Sequence, residues 1–366
     1  MGRCYLAAAV TVIATGWLVP PPASGQSRSQ DATGSSTWTV PRTPDGRPDL
    51  QGYWTTQTFT PLERPDHLGG KEFFTEEETA ELQQQFTADS VDPLARFAID
   101  INLEDSNERE RVLDQTHRDE TYVHYDNSIW LRTRVPKGLS SRRTSLITDP
   151  PDGQVPPLTP EAEQRLATSR EARQQRGAFY DHTVRPLSER CVAWPHNGPP
   201  MLPTAYNDVH QIFQTPDYVV LFTELNNSLP RIIPLDERPP ISNKIRLMHG
   251  DSRGYWEGDV LVVESRHFTD KTRFQGSGET LHVVERFSRV AADRILYEFT
   301  VDDPTSWTSA WSAEIPMVTT EGPVYEYACH EGNYDVRHLL EINRNLEKQE
   351  KDKKASGETE LERGQR

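Results

Sequence analysis

Hydrophobic and polar residues alternate with a period of two in short segments from residue 209 onward. Such alternation is typical of β-strands with one buried face, and Pro, Gly, Asn or Asp residues bound the segments. The predicted strands are 209–214, 218–225, 231–235, 245–249, 260–266, 281–288, 294–301, 311–316 and 324–329. Because no helical pattern separates them, we predict a mainly β fold with an antiparallel, lipocalin-like barrel, or alternatively a sandwich.

Two surface helices are predicted upstream of these strands. Thr75 and Glu78 have the spacing of a capping box, which starts a helix that ends near residue 86. Thr159 is a suitable N-cap for a second helix, which has Pro160 at its first position and ends near residue 176. Both segments carry few apolar side chains, so we expect them outside the core.

The amino-terminal pattern predicts a secretory signal peptide. Arg3 precedes an apolar run over residues 6–19, and proline and small residues follow up to Gly25. We therefore divide the chain into five segments. They are a signal peptide (1–25), a flexible leader (26–37), an irregular arm and helical wrap (38–190), an antiparallel barrel body (191–337) and a polar tail (338–366).

The net charge and the cysteine content limit the compartments and the classes of partner that suit this protein. The formal net charge is -16 at pH 7, and residues 1–25 contribute only Arg3, so the chain without them stays acidic. This argues against nucleic acid and anionic membranes as partners, and no later run suits stable membrane insertion. Past the signal peptide only Cys191 and Cys329 remain, which predicts a disulfide in a periplasmic or extracellular protein. A reactive thiol is the alternative.

Several longer motifs are shared with a known group of proteins. They are PDGRPDLQGYW at 44–54, DPPDG at 149–153, GDSRGYWEGDVLVV at 250–263, FTDKT at 268–272, LHVVERF at 281–287 and YACHEGNY at 327–334. In these motifs the chain resembles a large group of exported proteins from soil and marine bacteria. The resemblance covers nearly all of the chain after the signal peptide. It implies export and one common architecture, and it assigns no catalytic residue.

The sequence lacks the standard cofactor motifs. It contains no Walker loop, no dinucleotide fingerprint and no Gly-x-Ser-x-Gly elbow. The histidines show neither His-x-His nor His-Glu-x-x-His spacing, which disfavours a zinc site built from neighbouring residues. We therefore expect neither a cofactor nor a bound metal.

The densest polar cluster directly follows the last predicted strand. It consists of Tyr327, His330, Glu331, Asn333 and Tyr334. A histidine beside a carboxylate suits general acid and base catalysis, and the predicted disulfide at Cys329 would hold the pair in place. The alternative is a structural one, in which the polar side chains satisfy backbone groups in a tight turn around Gly332.

Two predicted strands place a carboxylate on an apolar face. Glu285 shares a face with Leu281, Val283 and Phe287, and Glu224 shares one with Tyr218, Val220 and Phe222. If these faces line a barrel interior, desolvation raises the pKa of each acid, as a general acid requires. In the alternative, each carboxylate pairs with a buried arginine such as Arg231 or Arg286.

Basic and aromatic residues provide candidate ligand contacts. Residues 127–148 contain no acid but five basic residues, among them Arg132 and Arg134. Arginine forks suit carboxylate or sulfate groups, although pairing with acids of the same molecule is the alternative. The predicted ligand-binding residues are Arg132, Arg134, Arg231, Asn333, Tyr334 and Trp311.

These observations predict an exported, cofactor-independent enzyme that acts on a carbohydrate or a small cyclic organic compound. Acid and base catalysis by His330, Glu331, Glu285, Glu224 and Tyr327 suits a hydrolase, a lyase or an isomerase. The first alternative is a non-catalytic, lipocalin-like binding protein, which predicts an apolar lumen. The second is an interaction module that docks through the arm at 38–54. The sequence leaves the oligomeric state open.

Overall fold

A computed structural model describes residues 38–86, 139–176, 181–193, 198–203, 208–224, 230–271 and 274–356. The predicted signal peptide and leader lie outside the described residues, as do Arg132 and Arg134. The described residues form a mainly β structure with a few helices.

Ten strands and three α-helices are present in the described part of the chain. The strands are β1 (Gly52–Thr55), β2 (Ile147–Asp149), β3 (Val209–Gln214), β4 (Tyr218–Thr223), β5 (Arg231–Pro234), β6 (Asp251–Glu257), β7 (Val260–Arg266), β8 (His282–Ala291), β9 (Arg294–Asp302) and β10 (Trp311–Thr319). The helices are α1 (Glu76–Phe86), α2 (Pro160–Arg176) and α3 (Asp335–Ser356). Short 3-10 turns occupy Asp66–Leu68, His182–Val184 and Phe274–Gly276.

The strands form one antiparallel sheet in the order β5-β4-β3-β1-β10-β9-β8-β7-β6, and β2 pairs with β10 beside this path. The two end strands, β5 and β6, face each other across a seam. Arg231 Nε on β5 donates to Ser252 Oγ on β6 at 3.0 Å. A Cβ atom placed on Gly254 of β6 would lie 2.8 Å from Ile233 of β5. The sheet is therefore a nearly closed barrel, which confirms the predicted fold class.

Side chains fill the interior of the barrel. Five of the largest inward-facing residues are almost completely buried: Trp54, Phe287, Tyr297, Phe299 and Trp311. Four of these rings pack in series from Phe287 to Trp311, with 4.9 Å between the ring centres of Phe287 and Tyr297 and 5.7 Å between those of Phe299 and Trp311. Burial of each such side chain contributes about 2 kcal/mol to folding. This interior is a packed core, as is common in small barrels.

The strand predictions failed at two places. Residues 245–249 and 324–329 are not strands, and the hairpin partner of β7 is instead β6, Asp251–Glu257. Ile245 and Leu247 are 50% and 41% exposed, so their apolar side chains do not mark a buried face. The inward positions of β6 include Ser252 and Gly254. Since these side chains are small or absent, the strand shows no hydrophobic alternation.

The sheet also includes two strands from the segment predicted as an arm and wrap. β1 pairs with both β3 and β10, and β2 pairs with β10. Each has only three or four residues, which is too short for a period-two pattern to stand out.

The helix starts match the predictions. Thr75 N donates to Glu78 Oε2 at 2.8 Å, and Glu78 N donates to Thr75 Oγ1 at 3.2 Å, which is a complete capping box. Thr159 Oγ1 caps α2 by accepting from Ala162 N at 3.2 Å. Helix α3 covers much of the segment predicted as a polar tail. No helix in the described ranges has the length and apolar character required to cross a bilayer.

Candidate functional site

Two cavities lie next to each other at the barrel. The smaller has a volume of about 260 Å³ and the larger about 710 Å³. Both are lined by Gly198, Met248 and His249. Arg231 of β5 and Ser252 of β6 line the smaller cavity, so it opens beside the seam between the end strands. The larger cavity lies over the segments 183–193, 268–271 and 274–281.

A buried ion pair supports the wall of the smaller cavity. Glu285 on β8 is completely buried, and Arg231 Nη1 donates to its Oε1 at 2.9 Å while Nη2 binds its Oε2. Arg231 Nη2 also donates to Ser265 Oγ at 3.1 Å, and Ser252 Oγ lies 2.8 Å from Ser265 Oγ. Glu285 therefore lies on an apolar face as predicted, and the observed partner is Arg231, the alternative considered above.

Tyr297 completes the environment of Glu285. Its hydroxyl donates to Glu285 Oε1 at 2.8 Å and accepts from Met201 N at 2.9 Å. Burial, together with the negative charge of Glu285, raises the pKa of Tyr297 well above its usual value. Tyr297 is therefore a permanent donor to a carboxylate whose two oxygens are already bound.

His249 is the titratable residue that the two cavities share. Its Nδ1 lies 3.0 Å from the carbonyl oxygen of Gly198. Because a carbonyl only accepts hydrogen bonds, Nδ1 carries the proton in the neutral ring, and Nε2 has the lone pair. Nε2 is buried, and no partner within the described part of the chain reaches it. Burial and the charge of Arg231 lower the pKa of His249, while the Gly198 carbonyl opposes this.

Sequence reasoning missed this histidine. Residues 245–249 were predicted as a strand, and alternation alone does not distinguish His249 from its neighbours. Its position depends on the Gly198 carbonyl, which lies 51 residues earlier in the chain. The neighbouring motif at 250–263 was the only local signal in that region.

The larger cavity combines a basic rim with an apolar floor. Arg185, Arg190 and Lys271 line it together with Asp270. The floor is formed by buried side chains, namely Phe268, Phe274 and Leu281. Arg185 is engaged by Glu189, since its Nε donates to Glu189 Oε2 at 2.7 Å.

The predicted disulfide, Cys191–Cys329, ties this cavity to the C-terminal cluster. The Cα atoms of the two cysteines are 5.5 Å apart, and the bond is formed. Asn333 Nδ2 donates to the Glu189 carbonyl oxygen at 3.0 Å and lies 2.9 Å from Cys191 Sγ. Asn333 and the disulfide thus fasten the segment that lines the larger cavity.

The remaining members of the C-terminal cluster lie in an irregular turn. His330 and Glu331 are exposed, Tyr327 is half-buried and Tyr334 is 63% exposed. None of these side chains lines either cavity. The structure therefore does not bring the cluster together with Glu285 at one pocket.

Glu224 and Trp311 take positions other than the predicted ones. The buried residues of β4 are Val219, Leu221 and Thr223, so the inward face is displaced by one residue from the predicted face. Glu224 follows β4, is buried and accepts from Tyr325 N at 3.3 Å. Trp311 is completely buried in the aromatic core, where no ligand reaches it.

A second buried histidine lies near the smaller cavity. His210 on β3 is enclosed by two hydroxyls, with Thr56 Oγ1 3.1 Å from Nε2 and Thr223 Oγ1 3.0 Å from Nδ1. Burial lowers the pKa of His210 to about 4. Because both ring nitrogens are bound, His210 is a satisfied core residue, in contrast to His249.

Among the described residues, no three His, Cys, Asp or Glu side chains come together as a metal-binding group. Comparison of the chain with protein-family models, with curated proteins and with solved structures found no match. The two cavities and His249, which lines both, therefore form the candidate functional site.

Proposed function

We propose that the protein is an exported, cofactor-independent enzyme that performs acid and base chemistry on a carbohydrate or a small cyclic organic compound. His249 is the proposed base, and the reaction is a hydrolysis, an elimination or an isomerisation. The observation that carries the proposal is the unpartnered Nε2 of His249, a residue that lines both cavities.

The geometry of His249 suits a general base. Its Nδ1–H is held by the Gly198 carbonyl, which orients the ring and leaves the lone pair on Nε2. The lowered pKa keeps the ring neutral at pH 7, so the lone pair on Nε2 is unprotonated, as a general base requires. A positioned base of this kind contributes about 10²-fold to 10⁴-fold in rate.

The lining of the smaller cavity favours an enzyme over a lipocalin-like carrier. Three of its residues are titratable: Arg231, His249 and Asp251. A carrier of that type requires an open apolar lumen, whereas Trp54, Phe287 and other large side chains fill this barrel. Ligand binding at the cavities beside the barrel therefore has more support than binding inside it.

Export is supported by the disulfide between Cys191 and Cys329, since such bonds persist in oxidising compartments. The amino-terminal pattern and the resemblance to exported bacterial proteins favour the same location, periplasmic or extracellular. The proposed partner is a small-molecule or carbohydrate ligand. An acidic chain with formal charge -16 is unsuited to nucleic acid.

The test is untargeted mass spectrometry on protein incubated with oligosaccharides, glycosides, phenolics and lactones. Wild type is compared with His249→Ala and with His282→Gln, a matched control whose ring pairs with Glu264 and lines neither cavity. We expect new product masses from wild type and from the control. His249→Ala should form these products at a rate that is lower by about 10²-fold or more. Because the pKa of His249 is lowered from 6.5, activity should persist to a pH below 6.5 and then decline as protonation removes the base.

A His330→Ala, Glu331→Gln double variant belongs in the same experiment, since catalysis by the C-terminal cluster stays a prediction. Loss of products in this variant but not in His249→Ala would move the site to that cluster. Compounds that co-purify unchanged with every variant would identify a binding protein instead.

A further inference from the structure

The larger cavity has two basic side chains without an acidic partner. Arg190 and Lys271 both line it, and neither forms an ion pair or a side-chain hydrogen bond within the described part of the chain. Arg190 is half-buried and Lys271 is exposed. By contrast, Glu189 engages Arg185 on the same rim.

The charge of the rim opposes that of the molecule as a whole. The chain carries a formal net charge of -16, yet three basic residues and one acid line this cavity. A half-buried guanidinium loses part of its hydration and regains it only by binding an anion or water. A local excess of positive charge in an acidic protein thus favours an anionic ligand at this point.

The apolar part of the cavity lining suits a ring. Phe268, Phe274 and Leu281 are buried in the fold and present apolar surface to the cavity. A volume of about 710 Å³ lies within the range of small-molecule sites, roughly 300 to 1,000 Å³. A cavity lined by both apolar side chains and unpaired positive charges fits a molecule with one ring face and one anionic group.

We infer that the larger cavity binds a ring-bearing organic acid, with its carboxylate at Arg190 and Lys271 and its ring against Phe268 and Phe274. As a statement about substrate class, this rests on the proposed function, because it makes the substrate of the His249 site an acid. His249 lines this cavity as well as the smaller one, so the acid and the proposed base share one cavity.

The carboxylate-bearing ring has two chemical sources, a hydroxylated sugar acid and an aromatic acid. The probes are galacturonate for the first and ferulate for the second, each beside its uncharged methyl ester. Isothermal titration calorimetry on the full chain measures each affinity at low and at high salt. We expect at least one acid to bind about tenfold more tightly than its ester. High salt should lower the affinity for the acid and leave that for the ester unchanged.

Variants locate the binding. Lys271→Gln and Arg190→Gln should each lower the affinity for the acid several-fold and leave the affinity for the ester unchanged. Arg190→Lys should retain part of the affinity that Arg190→Gln loses. The matched control is Arg337→Gln, an exposed arginine of α3 that pairs with Glu341 and lines neither cavity. Arg190 adjoins Cys191, so Arg190→Gln can misfold. In that case the affinity of Lys271→Gln for the acid is the test of the inferred site.

Equal affinity for acid and ester, or full affinity in Lys271→Gln, would overturn the inference. Calorimetry needs no turnover, so binding of an acid without any product refutes the enzyme and leaves the acid site intact. Equal turnover of neutral and acidic substrates by a His249-dependent reaction refutes the acid site and leaves the enzyme intact.

Discussion

Arg231 on β5 and Glu285 on β8 form a two-point ion pair inside a barrel whose other inward residues are largely apolar. The Glu285 side chain is 0% exposed and that of Arg231 is 10% exposed. Tyr297 and two serines bind the remaining polar atoms of the pair. The pair therefore connects strands from opposite parts of the sheet.

Removal of one charge of the Arg231–Glu285 pair should lower the stability of the fold. Arg231→Met leaves the Glu285 carboxyl buried without its counter-charge, so we expect a loss of about 3 to 5 kcal/mol in the free energy of unfolding. An Arg231→Met, Glu285→Leu double variant should recover most of this loss, because it buries no charge. Urea denaturation measures both. A single variant within about 1 kcal/mol of wild type would show that water reaches the pair.

Stability should depend on pH through His210. Its pKa is about 4 in the folded state and 6.5 in the unfolded state, so folding favours the neutral ring. The stabilisation is complete above pH 6.5 and is lost as the pH falls from 6.5 towards 4. The loss is about 3 kcal/mol by linkage. Unfolding free energies at pH 7.5 and 4.5 should show this for wild type and for His338→Gln, an exposed control. His210→Gln should lack it, and an unchanged pH dependence in that variant would exclude His210 as its source.

The disulfide should stabilise the fold and the rim of the larger cavity. The bond closes a loop over a sequence separation of 138, which corresponds to about 5 kcal/mol in the chain-entropy model. A Cys191→Ser, Cys329→Ser variant should lose this stability and become sensitive to proteolysis within residues 183–193, which the bond and Asn333 fasten. Resistance equal to that of wild type would assign the restraint to other contacts. Asn333→Ala, with the bond intact, separates the two contributions.

Gly254 should control closure of the barrel. A Cβ at this position would lie 2.8 Å from side-chain atoms of both Ile233 and Leu235, so β5 and β6 approach too closely for a larger residue. Gly254→Val should destabilise the fold by about 1 to 3 kcal/mol through overpacking. Adding Ile233→Ala to Gly254→Val should restore part of the loss. If it adds a further loss instead, the two residues do not meet across the seam. Thermal unfolding checks both variants.

Local patterns were sufficient for much of the fold. The capping box of Thr75 and Glu78 involves residues three positions apart, and the strands 209–214 and 260–266 alternate along their own length. The pattern failed where inward residues were small, as in β6 with Ser252 and Gly254. It also misplaced the inward face of β4 by one residue, because both faces of that strand carry large apolar side chains.

The sequence by itself determined the fold class, the helix starts and the disulfide, since these depend on short-range periodicity, capping and the cysteine content. Tertiary structure alone decided that Arg231 pairs with Glu285 across 54 residues and that His249 meets the Gly198 carbonyl across 51. It also decided that the C-terminal cluster lines neither cavity. Such contacts depend on how strands pair and how the barrel closes, and no local pattern specifies which distant residues that closure brings together.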